Sequence, residues 1–283
     1  MKVRGLFAVV ALAGMAATAS AAGVLGANAY TVVLRNFNDY PNSVITPDIA
    51  ANQIGHARIT ENMGPVNADN PQKFANRHFA QFSDDGGATK LSMLNNQSFK
   101  ISYKMKLNSN IDNDGSGQLW PQQPEGGLFF GNDRGGGFID EGGIFVVGNG
   151  TVFVGGANQK FSLIGDHNNG TDAFKKGDIL QMSYTYYAPN GGTAAYAVQF
   201  DNLTSGFSKT VMNTFDVAGG PDANGFNDGS WVGFRWQHTR NPLLGSDGTV
   251  NDIEYYDVAI VPASSTASLL ALAGLAAARR RRA

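Results

Sequence analysis

Between residues 97 and 107 apolar and polar side chains alternate without a break: Phe99, Ile101, Tyr103, Met105 and Leu107 against Lys100, Ser102, Lys104 and Lys106. A period of two predicts a strand with one buried face and a solvated lysine row on the other. Ile179 to Tyr187 places Leu180, Met182, Tyr184 and Tyr186 on one side, and Thr193 to Phe200 follows after Pro189, Asn190, Gly191 and Gly192, which predicts a hairpin. A second hairpin is predicted for Ile144 to Val147 and Thr151 to Val154, because Asn149-Gly150 between apolar runs favours a tight turn. Gly127 to Gly131 reads as a buried strand and Phe161 to Ile164 as a continuation of the meander, while Tyr30 to Leu34, Trp231 to Trp236 and Ile253 to Val261 complete the set. Asn36 to Gln72 is polar and broken by Pro41, Pro47, Pro65 and Pro71; it predicts loops with an edge strand or a short helical turn.

No stretch of the body sustains a 3.6-residue apolar period, and no internal repeat is visible. The 36 glycines, with Asn and Asp throughout, supply turn positions. About ten to twelve short strands joined by hairpins predict an all-β fold, a two-sheet antiparallel jelly-roll sandwich. Residues 30–261 are expected to form one domain, long enough to bury a sizeable core.

The ends read differently. Lys2 and Arg4 precede an apolar run from Leu6 to Ala17, the pattern of a signal helix with cleavage expected after Ala21 or Ala29. From Ala267 to Ala278 every residue is Ala, Leu, Gly or Ser, followed by Arg279, Arg280, Arg281 and Arg282. Such a helix is apolar on all sides and membrane-seeking, and its arginine cluster is retained on the cytoplasmic side. With Val261, Pro262 and Ala263 before it, this tail (262–283) resembles the PEP-CTERM sorting signal of bacterial exoproteins. That resemblance implies export, transient anchoring, reading by an exosortase-type transpeptidase, and delivery to the cell surface or extracellular matrix. Ala263 and Ser264 stand where that family commonly has Glu and Pro. The body resembles the concanavalin A-like lectin and glucanase sandwich, which implies that the first and last strands, Tyr30 to Leu34 and Ile253 to Val261, pair side by side.

Composition narrows the chemistry. Setting the two ends aside leaves 15 Lys and Arg against all 23 Asp and Glu, a formal charge of −8, which disfavours nucleic acid as a partner. With no cysteine, disulfides, thiolate metal sites and cysteine nucleophiles are excluded.

Glycoside cleavage needs two facing carboxylates. The body has four glutamates, Glu61, Glu125, Glu141 and Glu254, none in the Glu-x-Asp-x-Glu pattern of laminarinase-like enzymes; Asp252 and Glu254 form the one same-face acid pair. His56, His78, His167 and His238 are scattered, without zinc-binding spacing, and Asp166-His167 reads as a turn. Asn110, Asp112 and Asp114 before Gly115 resemble half of a calcium loop, so calcium is the one candidate cofactor. Trp120 in the same polar excursion offers a face for a sugar ring, with Gln122 and Asp133 as hydrogen-bonding neighbours, whereas Trp231 and Trp236 read as core. The expectation is an exported, surface-sorted, non-catalytic glycan-binding or structural sandwich whose partner is an extracellular polysaccharide. The alternative is a glycoside hydrolase or polysaccharide lyase on the same fold.

Overall fold

The computed structural model describes residues 23–50, 52–63, 75–93, 96–108, 124–133, 139–156, 159–189, 193–215, 225–226, 229–239 and 250–263. The signal helix and the apolar tail helix lie outside them.

The strands are β1 (Ala29–Asn38), β2 (Val44–Ile49), β3 (Ala57–Asn62), β4 (Ala75–Ser83), β5 (Phe99–Leu107), β6 (Glu125–Asn132), β7 (Ile139–Val147), β8 (Val152–Gly155), β9 (Ser162–Gly165), β10 (Ile179–Tyr187), β11 (Ala195–Asn202), β12 (Ser208–Thr214), β13 (Trp231–Thr239) and β14 (Val250–Pro262). They form two seven-stranded sheets. Sheet A runs β1-β4-β13-β6-β7-β8-β9 and sheet B runs β12-β11-β10-β5-β14-β3-β2, all pairs antiparallel. The chain is therefore an all-β, two-sheet antiparallel sandwich.

Both predicted hairpins are present. Val146 opposes Val152 across β7 and β8, with Gly150 at φ 95° in the turn, and Tyr186 opposes Tyr196 across β10 and β11. Strand β5 keeps its alternation, burying Phe99, Ile101, Tyr103, Met105 and Leu107. These side chains meet Phe82, Leu128, Phe130, Phe234 and Trp236 from sheet A in the core between the sheets. Burying such aromatic and aliphatic side chains is worth roughly 1.5–3 kcal/mol each.

Two expectations are corrected. First and last strands do not pair: β1 joins β4 at an edge of sheet A, and β14 lies inside sheet B between β3 and β5. Residues 36–72 hold two strands, β2 and β3; Pro47 is accommodated because β2 is an edge, where a missing N–H costs no ladder bond. Its partner β3 hid its alternation because its inward positions are Ala57, Ile59 and a buried Glu61. Trp231 and Trp236 are both buried, as expected, Trp236 in the core between the sheets and Trp231 in a second cluster with Phe79, Phe129, Phe145 and Phe153. Strand periodicity puts that cluster on the outer face of sheet A.

Candidate active site

Strand β13 turns Phe234, Trp236 and His238 inward and Arg235 and Gln237 outward, as a period of two requires. Gln237 opposes Arg77 of β4 on one side and Glu125 of β6 on the other. The outer face of sheet A thus carries a cross-strand polar row of Arg77, Gln237 and Glu125, with Arg235 one rung along. Gln237 Oε1 accepts from Arg77 Nε at 3.1 Å, Arg77 Nη2 at 2.8 Å and Arg235 Nη2 at 2.6 Å.

Arg235 Nη2 also lies 2.6 Å from Glu125 Oε1. That contact is an ion pair without hydrogen-bond alignment, and Glu125 Oε1 has no other partner among the described residues. The Arg235 guanidinium carbon lies 5.3 Å from the Phe129 ring centre and 5.4 Å from that of Phe145, within cation–π range. Arg235, Glu125 and Gln237 are only 5%, 5% and 4% exposed, so the charges of Arg235 and Glu125 act with little screening by water. Among the described residues the row brings together two guanidiniums, one carboxylate and one amide.

Beneath it, sheet B fixes the backbone. Tyr255 of β14 stacks on Phe234 with ring centres 4.3 Å apart, and its hydroxyl reaches the backbone of β6 and β13. Tyr103 Oη accepts from the Leu128 N–H at 3.1 Å. Burial pushes the Tyr255 phenol well above its ordinary pKa, so it stays neutral and can donate.

A second polar group lies inside the sandwich. Glu61, His78 and His238 are fully buried and converge, which corrects the reading of the histidines as scattered. Glu61 Oε1 accepts from Asn76 Nδ2 at 2.6 Å and from the Ser43 hydroxyl; Oε2 accepts from His78 Nε2 at 2.9 Å and His238 Nδ1 at 2.8 Å. Burial alone would raise the Glu61 pKa, but the bonds from His238 and His78 outweigh it and hold the carboxyl well below its ordinary range. Burial lowers the pKa of His238 and keeps it neutral.

The donor set does not suit a metal. The Arg35 N–H donates to His78 Nδ1 at 3.0 Å, so the neutral ring carries its proton on Nε2, the atom that would have to bind the ion. The cluster is a hydrogen-bonded hub.

Of the residues singled out in the sequence, Asn110, Asp112, Asp114, Trp120 and Gln122 lie outside the described residues. Asp133 follows β6 and accepts from Trp231 Nε1 at 3.1 Å while pairing with Lys90. The acid pair lies on the outer face of sheet B, and each member meets a base: Asp252 is held bidentately by Arg58 at 2.8 and 2.6 Å, and Glu254 meets His56 at 3.1 Å. Val261 and Pro262 pair with Lys100 and Phe99 at the end of β14, and the Ala263 N–H bonds the Ser98 carbonyl at 3.2 Å. Residues 279–282 are outside the described set. Sequence reasoning missed Arg77, Arg235 and Gln237; the alternation through Phe234, Trp236 and His238 was the signal that the polar residues between them share a face.

No protein-family model matches this chain, and no curated protein matches it. Among solved structures it is similar to a family 7 alginate lyase, A1-II′, in complex with substrate (10% identity, 86% of this chain and 98% of that chain, TM-score 0.46). It is also similar to the alginate lyase from Klebsiella pneumoniae (7% identity, 86% and 98%, TM-score 0.45). A further match is lectin II from Ulex europaeus (11% identity, 77% and 92%, TM-score 0.38). Likeness at this level concerns architecture, and the chemistry has to be argued from residues. The expectation of a non-catalytic, non-enzymatic sandwich is corrected to this extent: the matches include polysaccharide lyases, the alternative named from the sequence, as well as a lectin, and a likeness of this degree assigns neither activity to this chain, so cleavage is taken up below as a proposal.

Proposed function

We propose that this protein is an exported enzyme that cleaves an acidic polysaccharide by β-elimination on the outer face of sheet A. The observation that carries the reading is the row in which buried Arg235 and half-buried Arg77 share Gln237 Oε1 beside Glu125. Hydrolysis by paired carboxylates has less support, because the row contains one carboxylate and two guanidiniums.

Substrate has to approach from the outer side, since Phe234, Trp236 and Tyr255 fill the inner one. A uronate carboxylate drawn to Arg235 and Arg77 would have its charge neutralised there, which acidifies the neighbouring C5–H. Glu125 accepts that proton, the C5 electrons form the C4–C5 double bond, the C4–O4 bond breaks, and O4 leaves with a proton from solvent. Both Glu125 and the guanidiniums sit on paired strands, the rigid placement that such positioning needs.

Export is part of the proposal, supported by the basic–apolar start of the chain and by the apolar run before Arg279 to Arg282. In this reading the exosortase-type enzyme meets Val261-Pro262-Ala263 as the paired end of β14.

The test is to incubate the full chain with alginate, polygalacturonate, hyaluronate and a neutral β-glucan, following the ultraviolet absorbance of unsaturated uronate. Unsaturated product from an acidic polymer, lost in Arg235→Ala and Glu125→Gln, is expected. Saturated reducing ends would instead mean hydrolysis, and no product from any polymer would refute the reading.

A further inference from the structure

Strand β1 pairs irregularly where it passes the polar row. Val33 opposes Phe79 and Phe37 opposes Arg77, so four steps along β1 match two along β4 and the strand bulges between them. Regular pairing would set Arg35 opposite Arg77, two like charges face to face, which is unfavourable. Instead Arg35 takes φ 55°, a left-handed backbone that is costly for a residue with a side chain. Its guanidinium is held by Asn38 Oδ1 at 2.9 Å and by the carbonyls of Tyr40 and Ser43 at 2.7 and 2.6 Å. The bulge thus puts a phenyl ring where a second guanidinium would otherwise stand.

That ring is accessible, and so is the cation beside it. Phe37 is 40% exposed, whereas the rings of Phe79, Phe129, Phe145, Phe153 and Trp231 on the same face are at most 8% exposed. Within β4, Arg77 alone is not buried, and its guanidinium carbon lies 5.9 Å from the Phe37 ring centre. The two bonds to Gln237 Oε1 fix the plane of that guanidinium. Phe37, Arg77, Gln237 and Glu125 therefore follow one another along a single rung, on four neighbouring strands. A bulge and a strained residue beside a site commonly serve to re-aim a side chain toward it.

We propose that Phe37 and Arg77 form a subsite for the acidic sugar unit next to the one being cleaved. The C–H face of that neighbouring unit covers the Phe37 ring, and the Arg77 guanidinium lies between the two units and draws their acidic groups. An exposed aromatic ring suits the apolar face of a sugar, and a guanidinium at its side selects a charged polymer over a neutral one. In the order β1-β4-β13-β6, Phe37 is one strand spacing, about 4.8 Å, outside Arg77 and three spacings, roughly 14 Å, from Glu125. A chain of several units spans that distance, and a single uronate does not. The proposal rests on the reading above that this face takes an acidic polysaccharide, and it adds the residue that makes the site favour long polymer.

The test uses the full chain with Phe37→Ala, Phe37→Leu, Phe37→Trp, Arg77→Ala and the Phe37→Ala/Arg77→Ala double variant, each checked for folding by circular dichroism. Retention is measured in native gels containing alginate, polygalacturonate or a neutral β-glucan, and unsaturated product is followed on long polymer and on short oligomers. In Phe37→Ala, retention by an acidic polymer is expected to fall roughly threefold to tenfold, with KM for long polymer rising more than kcat falls and more than KM for short oligomers. Phe37→Leu, apolar but not flat, should resemble Phe37→Ala, and Phe37→Trp should restore retention. The double variant should lose less than the product of the two single losses, because both side chains serve one subsite; losses that simply multiply would overturn the pairing. Retention and KM unchanged in Phe37→Ala and Phe37→Leu overturn the subsite and leave the cleavage reading standing. Phe37-dependent retention by an acidic polymer without product from any polymer removes the cleavage reading and supports the subsite, whereas a wild-type protein that no acidic polymer retains overturns it. A change in sedimentation without a change in retention would make Phe37 a contact between copies of the chain and also overturn it.

Discussion

Tyr255 on one sheet holds the backbone of Arg235 on the other: its hydroxyl donates to the Arg235 carbonyl at 2.5 Å and accepts from the Gly127 N–H at 2.6 Å. One neutral phenol thereby ties β14 to β13 and β6 directly under the polar row. Trp236 crosses in the opposite sense, donating from Nε1 to the Ile253 carbonyl at 2.8 Å. The site depends on contact between the sheets as much as on its own strand.

Tyr255→Phe removes the bridge with little change of shape and leaves a buried carbonyl and a buried N–H unpaired. The expected cost is about 1–3 kcal/mol in urea unfolding, with cleavage reduced because Arg235 is less firmly placed. Unchanged stability would mean that the two backbone groups find other partners.

Gly126→Ala tests the same bridge from the opposite side. A Cβ there would sit 2.5 Å from Tyr255 Oη and 2.8 Å from Met105 Cε, in a fully buried setting where neither side chain can swing out. A loss of about 1–3 kcal/mol is expected from overpacking. A melting temperature equal to that of the unaltered protein would show that the interface yields.

Arg235→Ala should lower kcat/KM on an acidic polymer about 100-fold or more, since it removes the cation nearest Glu125 and one donor to Gln237. Arg235→Lys should recover little of this: a lysine provides a point charge but not the flat fork that meets Gln237 and Glu125 and lies over two phenyl rings. Kinetics on the two variants, side by side, check both statements.

Acid should destabilise the fold through the hub. The folded-state pKa of Glu61 lies below its unfolded value, so its contribution is full at neutral pH and is lost as pH falls through the acid range below the ordinary carboxylate pKa. His238, also depressed, acts in the same direction: its contribution is present above about pH 6.5, the ordinary histidine value, and declines below it because the unfolded chain takes up a proton that the folded chain resists. Urea midpoints from pH 7 to pH 3 should therefore fall more steeply in the native protein than in a His238→Gln variant. Glu61→Gln should cost about 3–5 kcal/mol at neutral pH, because an amide cannot accept from all four donors.

Much of the sandwich was legible because its strands obey a short-range rule. The alternation in β5, the Asn149-Gly150 turn and the β10–β11 hairpin are local patterns that the structure repeats residue by residue. Strand β3 escaped because its inward Glu61 breaks the apolar period, and that residue is tolerated only because His78 and His238, 17 and 177 positions away, deliver N–H groups to it. Asp252 and Glu254 share a face, as their spacing implied, but spacing gave no notice of Arg58 and His56, which occupy them.

What the sequence determined by itself was most of the strands and the tight turns, though not β3, β4 or β12, together with the acidic and cysteine-free body and the contrast between that body and its two apolar ends. Tertiary structure decided which strands are neighbours, and so placed β1 and β14 in different sheets and brought Arg77, Gln237 and Glu125 into one row from β4, β13 and β6. The reason is physical: the period of a strand is written in adjacent residues, whereas pairing and the meeting of buried charges depend on long-range closure and on donors that no local pattern announces.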